Sequence, residues 1–345
     1  MKAQRPGDIL LVEPNEAFRG GIRQTLEQRG HTVVLCDGAA QARWHLERTV
    51  FDVVLCAQKL PDGDGRTLCN FIKTNPDLYR VSVALLVDSL LGLEDIAGQS
   101  VESTFGAGRK DVLASPDDLF PRSMSVQEMM LRLQGLLRFR RYQDEIHHSI
   151  TTLMSIAEGV EEQDKRARGH CNRLAIMSVE LGAVLGCDEW QLTALERAGY
   201  LHDIGKVSIP GAIFDKTQPL SPREMEIIKD HCVFGERLCT SVAALKPVLP
   251  IIRHHHERAD GTGYPDGLRG DEIPVLAQIF SVADVYDSLR TWRPYRQPMS
   301  EGQAIDVMRQ EVARGFWNRF VFDAFVKSVL PGLNDRLDTV HVLWP

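Results

Sequence analysis

Four short aliphatic runs, each followed by a stretch long enough for a helix, dominate the first third of the chain. They are Ile9-Leu10-Leu11-Val12, Thr32-Val33-Val34-Leu35, Phe51-Asp52-Val53-Val54-Leu55-Cys56 and Val81-Ser82-Val83-Ala84-Leu85-Leu86-Val87. Parallel strands cannot be joined by a tight hairpin, so each connection must cross the sheet, and a helix on each crossover buries both faces. The alternation therefore predicts an α/β, doubly wound parallel sheet over residues 1–122. Gly30 fits the C-cap of the helix that leads into the second run.

Beyond residue 122 that pattern stops. From Ser125 to Ile150 the sequence is helix-forming, with apolar residues at Met129, Leu133, Leu136, Leu137 and Ile146. Ser125 and Glu128 have the spacing of a capping box. A linker helix is expected over 123–150, able to pair with its twin in a homodimer. Its basic run Arg138-Phe139-Arg140-Arg141 reads as a solvated face. Residues 151–345 carry helical periods, as in Leu174 through Leu185 and Leu192 through Leu201, and few strand signals, so an all-α second domain is expected. Ser221-Pro222-Arg223-Glu224 reads as N-cap, first-turn proline and capping-box glutamate of a helix carrying His231. Two domains also suit 345 residues, since single cores rarely grow beyond ~250–300.

Composition narrows the classes of function. A formal net charge of −7 argues against nonspecific binding of duplex nucleic acid, which needs a basic face. The longest apolar stretch, Val81 to Leu93, is interrupted by Ser82, Asp88 and Ser89, short of the ~20 residues that span a bilayer. The first residues are polar and do not read as a signal segment. Seven cysteines, an odd number without a Cys-x-x-Cys pair, read as reduced residues. A cytoplasmic protein without a membrane partner is expected.

The chemistry concentrates in the second half, where six of the eleven histidines fall between His170 and His256. In His202-Asp203-Ile204-Gly205-Lys206, neighbouring helical residues point about 100° apart, so one ion cannot easily use both from one direction. A pair of ions can, because a carboxylate has two oxygens and bridges while the imidazole binds one ion. Gly205 is expected to end the helix, with Lys206 just beyond. His254-His255-His256-Glu257 offers imidazoles suited to zinc, iron or manganese, with Glu257 or a backbone carbonyl to hold the other ring nitrogen. His254 reads as a neighbour that does not ligate. The glycines of Asp260-Gly261-Thr262-Gly263-Tyr264-Pro265 allow a tight loop that brings amides and the Tyr264 hydroxyl to a phosphate. Asp284 lies on an apolar helical stretch, where a buried carboxylate is costly unless a cation meets it. Asp287 reads as structural.

Two resemblances follow from these residues. Leu11-Val12-Glu13-Pro14-Asn15-Glu16 and Leu60-Pro61-Asp62-Gly63-Asp64-Gly65 resemble the acidic turns of two-component receiver domains, over residues 7–122. The second acid of the first turn is here Pro14, and the phosphoacceptor position is Ala57. The Ser or Thr after the fourth strand becomes Val87-Asp88, and the family's Lys becomes Ser115 or Phe120. Alanine has no acceptor oxygen, so a pseudoreceiver for dimerisation or for a signalling partner is expected.

His202 to Lys206, His231 with Gly235, His255 through Pro265, Gly267 through Pro274, the Asp284 segment and Arg293-Pro294-Tyr295-Arg296 resemble the HD-GYP family, over residues 150–300. That resemblance implies an HD-type helical bundle with a binuclear centre, often of iron, that hydrolyses cyclic di-GMP. His170, His202, Asp203 and Asp284 would hold one ion, and Asp203, His231, His255 and His256 the other, with Asp203 bridging. A bridging hydroxide would attack phosphorus in line. Lys206 would lie near the phosphate or the hydroxide, and Tyr264, Arg293 and Arg296 would orient the phosphates. The implied cofactors are two divalent transition-metal ions, iron with manganese as alternative, and the implied partner is a cyclic dinucleotide. Three departures bear on this carry-over. Arg166 stands where some members place a Glu that helps bind a third metal. Trp292 replaces the Asp before Arg293. Phe316-Trp317-Asn318-Arg319 lacks the usual Phe-Asp-Pro. The first two of these changes favour a changed substrate, or the alternative of a sensor or adaptor that keeps its metals and nucleotide without turnover.

Overall fold

The computed structural model describes residues 6–88, 115–163, 169–214, 216, 218–292, 297–333 and 336–337. It divides into two compact units, Met1–Glu145 and Ile146–Pro345.

The first unit is built on strands β1 (Asp8–Val12), β2 (Thr32–Cys36), β3 (Val53–Ala57), β4 (Ser82–Val87) and β5 (Asp118–Pro121), all parallel and ordered β2-β1-β3-β4-β5. Ile9 lies opposite Val33 on one side and Val53 on the other. Side chains alternate between faces along a strand, and both faces of the central strands are covered, which explains why the runs are largely apolar without a period of two. Leu10, Val12, Val54, Cys56, Val83 and Leu85 meet α2 (Ala39–Leu46) and α3 (Gly65–Thr74). Ile9, Leu11, Val53, Leu55 and Leu86 meet α1 (Glu16–Glu27) and the start of α4 (Val126–Gln163).

The chain order reverses between β1 and β3, the position at which open α/β sheets place their functional end. Here that end carries no acceptor: Ala57 is fully buried. Buried Glu13 forms an ion pair with Arg122, Nη2 to Oε2 at 2.7 Å, and Arg122 Nε lies 3.1 Å from Asp88. Asp62 accepts the amides of Ala39 and Ala40 at 2.7 and 2.8 Å, so it caps α2, and those bonds hold its carboxyl below the usual range. The basic run on α4 is only partly a solvated face. Arg138 is exposed, but Arg140 is buried and pairs with Asp144 at 2.6 Å, one turn on.

The second unit is helical: α5 (His170–Val184), α6 (Glu189–Leu201), α7 (Pro222–Lys229), α8 (His231–Thr240), α9 (Leu249–His254), α10 (Val275–Arg290), α11 (Glu301–Ala313) and α12 (Arg319–Ala324). One core joins all of these except α7, which has no buried residue; Leu174, Leu195, Ile252, Phe280 and Phe325 are among its fully buried members, together with Met154 from the last part of α4. The capping box expected at Ser221 is present, its hydroxyl accepting from Glu224 N while the Glu224 carboxylate accepts from Ser221 N. The helix it opens stops at Lys229, however, and His231 is the first residue of the next one. Among the described residues no helix is long and apolar enough to cross a membrane.

Candidate metal centre

Helix α6 ends one residue before the His-Asp pair, and the chain turns into a 3-10 turn over Ile204–Ser208. Gly205 lies inside that turn rather than at a helix C-cap. A Cβ there would stand 1.9 Å from the carbonyl oxygen of His231 and 2.6 Å from the amide of Gly235. Only glycine lets the turn touch the first turn of α8. Asp203 and His231 are thereby brought side by side, with His231 Nε2 3.1 Å from Asp203 Oδ1.

Around Asp203 two groups of donor atoms converge, Asp203 with His231, His255 and His256, and Asp203 with His170 and His202. Within each group the atoms lie no more than 4.8 Å apart. Asp203 belongs to both. His202 Nε2 is 3.2 Å from Asp203 Oδ2, and Lys206 Nζ contacts the same oxygen. Asp284, on α10, places Oδ1 3.7 Å from His170 Nε2. All seven residues expected as ligands therefore meet in one place.

The protonation of these rings can be read from their outer partners. His231 Nδ1 lies 2.7 Å from the Ile228 carbonyl, and His255 Nδ1 lies 2.9 Å from that of Ile252. A carbonyl only accepts, so each Nδ1 carries a hydrogen, and in the neutral ring each Nε2 presents a lone pair. Those two Nε2 atoms lie 3.5 Å apart, facing Asp203 Oδ1, a buried oxygen without a hydrogen bond of acceptable geometry. Lone pairs converging on a buried carboxylate need a cation between them. Burial, reinforced by the neighbouring imidazoles, holds His255 neutral, its pKa far below the ordinary value; burial takes His256 down to about 3. Burial alone would raise the Asp203 carboxyl, but Lys206 and His202 outweigh it and keep the group ionised. The donor set thus fits hard-to-borderline divalent ions.

His170 is held differently. Its Nδ1 donates to Asp287 Oδ2 at 2.7 Å, and Arg173 grips the same carboxylate through Nε at 2.6 Å and Nη2 at 2.9 Å. Burial opposes ionisation of Asp287, but these bonds from His170 and Arg173 bring its pKa to about 2. Asp287, read as structural, therefore orients a ligand-type histidine. Arg173 was not picked out from the sequence; its position three residues after His170, on the same helix face, is the signal that was available.

Glu257 does not hold an imidazole, as one reading expected; backbone carbonyls do. Its buried carboxylate instead accepts the amides of Asp266, Gly267 and Leu268 at 2.7, 3.0 and 3.1 Å, closing the glycine loop onto α9. A Cβ on Gly263 would sit 2.3 Å from Arg258 N, which explains that glycine. The loop places the Tyr264 ring against His256, centroids 4.8 Å apart. His254 points away, to Asp266 and the Pro250 carbonyl. Next to His256 and Tyr264 lies a cavity of about 390 Å3. Arg166, Arg293 and Arg296 lie outside the described residues.

A parallel α/β domain of receiver topology, followed by a helical domain built on a His-Asp pair, defines a signalling regulator with an HD-type output domain. Comparison with known proteins agrees. Residues 154–316 match the HD domain family and residues 9–89 the response regulator receiver domain. The chain is 28% identical over 345 residues to a cyclic di-GMP phosphodiesterase of Thermotoga maritima, covering 92% of this chain and 89% of that one. It is 30% identical over 311 residues to a protein of Vibrio cholerae named a probable cyclic di-GMP phosphodiesterase, covering 80% and 67%. A 3'3'-cGAMP-specific phosphodiesterase of the same organism is 33% identical over 153 residues, covering 44% and 33%. The chain belongs to the HD-GYP type of HD-domain proteins with an N-terminal receiver domain.

Proposed function

We propose that this chain is a metal-dependent phosphodiesterase that hydrolyses cyclic di-GMP, or a closely related cyclic dinucleotide, in bacterial signalling. The observation that carries the reading is the convergence of the His231 and His255 lone pairs on an Asp203 oxygen that has no hydrogen bond. The names of the aligned relatives support the substrate class.

His170, His202, Asp203 and Asp284 would hold one divalent ion and Asp203, His231, His255 and His256 the other, iron first and manganese second. Two such ions supply an acidified water at neutral pH and stabilise charge on the phosphoryl oxygens. The protein's own groups do the rest. Asp203 stays ionised because Lys206 lies against it, so it can serve both sites. The Ile228 and Ile252 carbonyls fix the tautomers of His231 and His255. Tyr264, beside His256, orients a phosphate, with Arg293 and Arg296 as further contacts. Lys206, ion-paired at Asp203, would lie near the phosphate or the attacking hydroxide. The receiver unit, without an acceptor, would act through a protein partner. Exposed Phe139, Tyr142 and Ile146 on α4 follow the 3–4 spacing of a coiled-coil seam, which supports a homodimer.

The test is turnover of cyclic di-GMP by anaerobically purified protein, with metal content measured on the same sample. Two metals per chain with linear product, lost on His255→Ala, is the expected result. Two metals with binding and no product would replace this reading by the sensor-adaptor, which exposed Trp292 in place of an acid favours.

A further inference from the structure

The cavity beside His256 and Tyr264 is lined also by Arg258, Ser288, Glu311 and Trp317, none of which is needed to hold a cation. Its volume of about 390 Å3 falls in the ~300–1,000 Å3 range of small-molecule sites. Glu311 comes from α11, and Trp317, a few residues beyond the end of that helix, donates its indole N–H to Glu311 Oε2 at 2.8 Å. That bond orients the carboxylate while leaving Oε1, and a second lone pair on Oε2, available as acceptors. Arg258 packs its guanidinium over the Phe316 ring, 4.4 Å from the centroid. Among the described residues neither Glu311 nor Arg258 forms an ion pair, although both line one cavity. The cavity therefore offers an acceptor-only group, a donor-only group and an indole.

Guanine matches that set. Its N1–H and N2–H2 donate along one edge and its O6 and N7 accept along the other, whereas adenine turns an acceptor, N1, toward a carboxylate. We propose that this cavity takes a guanine base of the dinucleotide, that Glu311 reads N1–H and N2–H, and that Arg258 faces O6 and N7. Glu311 is then the residue that selects guanine over adenine. This rests on the phosphodiesterase reading for the position of the phosphate but not for the chemistry of the base site.

The experiment uses the full, metal-loaded chain and the nearly isosteric Glu311→Gln, whose amide oxygen still accepts from Trp317. kcat/KM is measured for cyclic di-GMP and cyclic di-AMP, and binding of GMP and AMP by calorimetry. The guanine-over-adenine ratio should fall about 10- to 100-fold in the variant, mostly through KM, with the GMP-over-AMP binding preference falling alongside. Trp317→Phe, which frees the carboxylate to rotate, should move both ratios the same way by less. An unchanged ratio, or an equal fall for both bases, overturns the assignment of Glu311. Wild-type chain that binds GMP through Glu311 and cleaves neither dinucleotide would sink the phosphodiesterase reading and leave the guanine site standing. Wild-type chain that neither binds nor cleaves overturns both.

Discussion

Replacing Asp287 by Asn should empty one metal position and spare the other. The carboxylate accepts from three N–H groups, His170 Nδ1 and Arg173 Nη2 on Oδ2 and Arg173 Nε on Oδ1. An amide of the same shape must turn its NH2 toward one of those oxygens' partners. Facing Arg173 Nε, it opposes a donor with a donor. Facing His170, it opposes Arg173 Nη2 and can bond the imidazole only if that ring moves its proton to Nε2, the nitrogen 3.7 Å from Asp284. That tautomer has no lone pair for an ion. Disturbing the group that orients a metal-bound histidine costs about 10- to 100-fold in affinity, or about 1.4–2.7 kcal/mol. Leaving a fully buried charge unpaired costs ~3–5 kcal/mol, and with a quarter of the Arg173 side chain exposed the fold should lose less than that. The assay is metal content per chain during titration with a competing chelator, with thermal unfolding run in parallel. The expected curve loses one ion early and holds the second, since His231, His255 and His256 do not touch Asp287. Early loss of both ions, or of neither, would refute the tautomer argument.

Three further substitutions probe other parts of the scheme. Asp203→Ala should release metal from both positions, because its carboxylate belongs to both donor groups; two ions retained per chain, by elemental analysis, would contradict it. Gly205→Ala pushes a methyl against the His231 carbonyl and Gly235 amide, and overpacking against backbone costs ~1–3 kcal/mol. Calorimetry should then show Tm lower by about 2–12 °C for a domain of this size, together with weaker metal binding, and an unchanged Tm would deny the close approach. Ala57→Asp should stay unlabelled by acetyl phosphate, because Pro14 replaces an acid and Arg122 already occupies Glu13 and Asp88; a labelled aspartate would show that the pocket can still gather its cation.

The sequence made some of this plain and hid other parts for physical reasons. β1, β3 and β4 are buried on both faces beyond Asp8, so every position except Asp8 and Ser82 is apolar and the runs stand out. β5 is an edge strand with two apolar residues, Leu119 and Phe120, closed by a proline, and no such run marks it. The candidate ligands were legible because few uses other than binding a cation justify so many imidazoles and buried carboxylates. Their supports were not, since Arg173, Asp287 and Glu257 have ordinary roles elsewhere and acquire these ones only from their neighbours. Gly205 shows why. Read along the chain, a glycine after a helical period means a terminator. In space its meaning is a distance: with the His231 carbonyl 1.9 Å from a virtual Cβ, the turn after α6 and the start of α8 are pressed together. The break between α7 and α8 at Asp230 then puts His231 at a helix start, where its Nδ1 reaches the Ile228 carbonyl and its Nε2 reaches Asp203. Helix ends and ligand geometry are one constraint here, and a reading that proceeds residue by residue meets only the first of them.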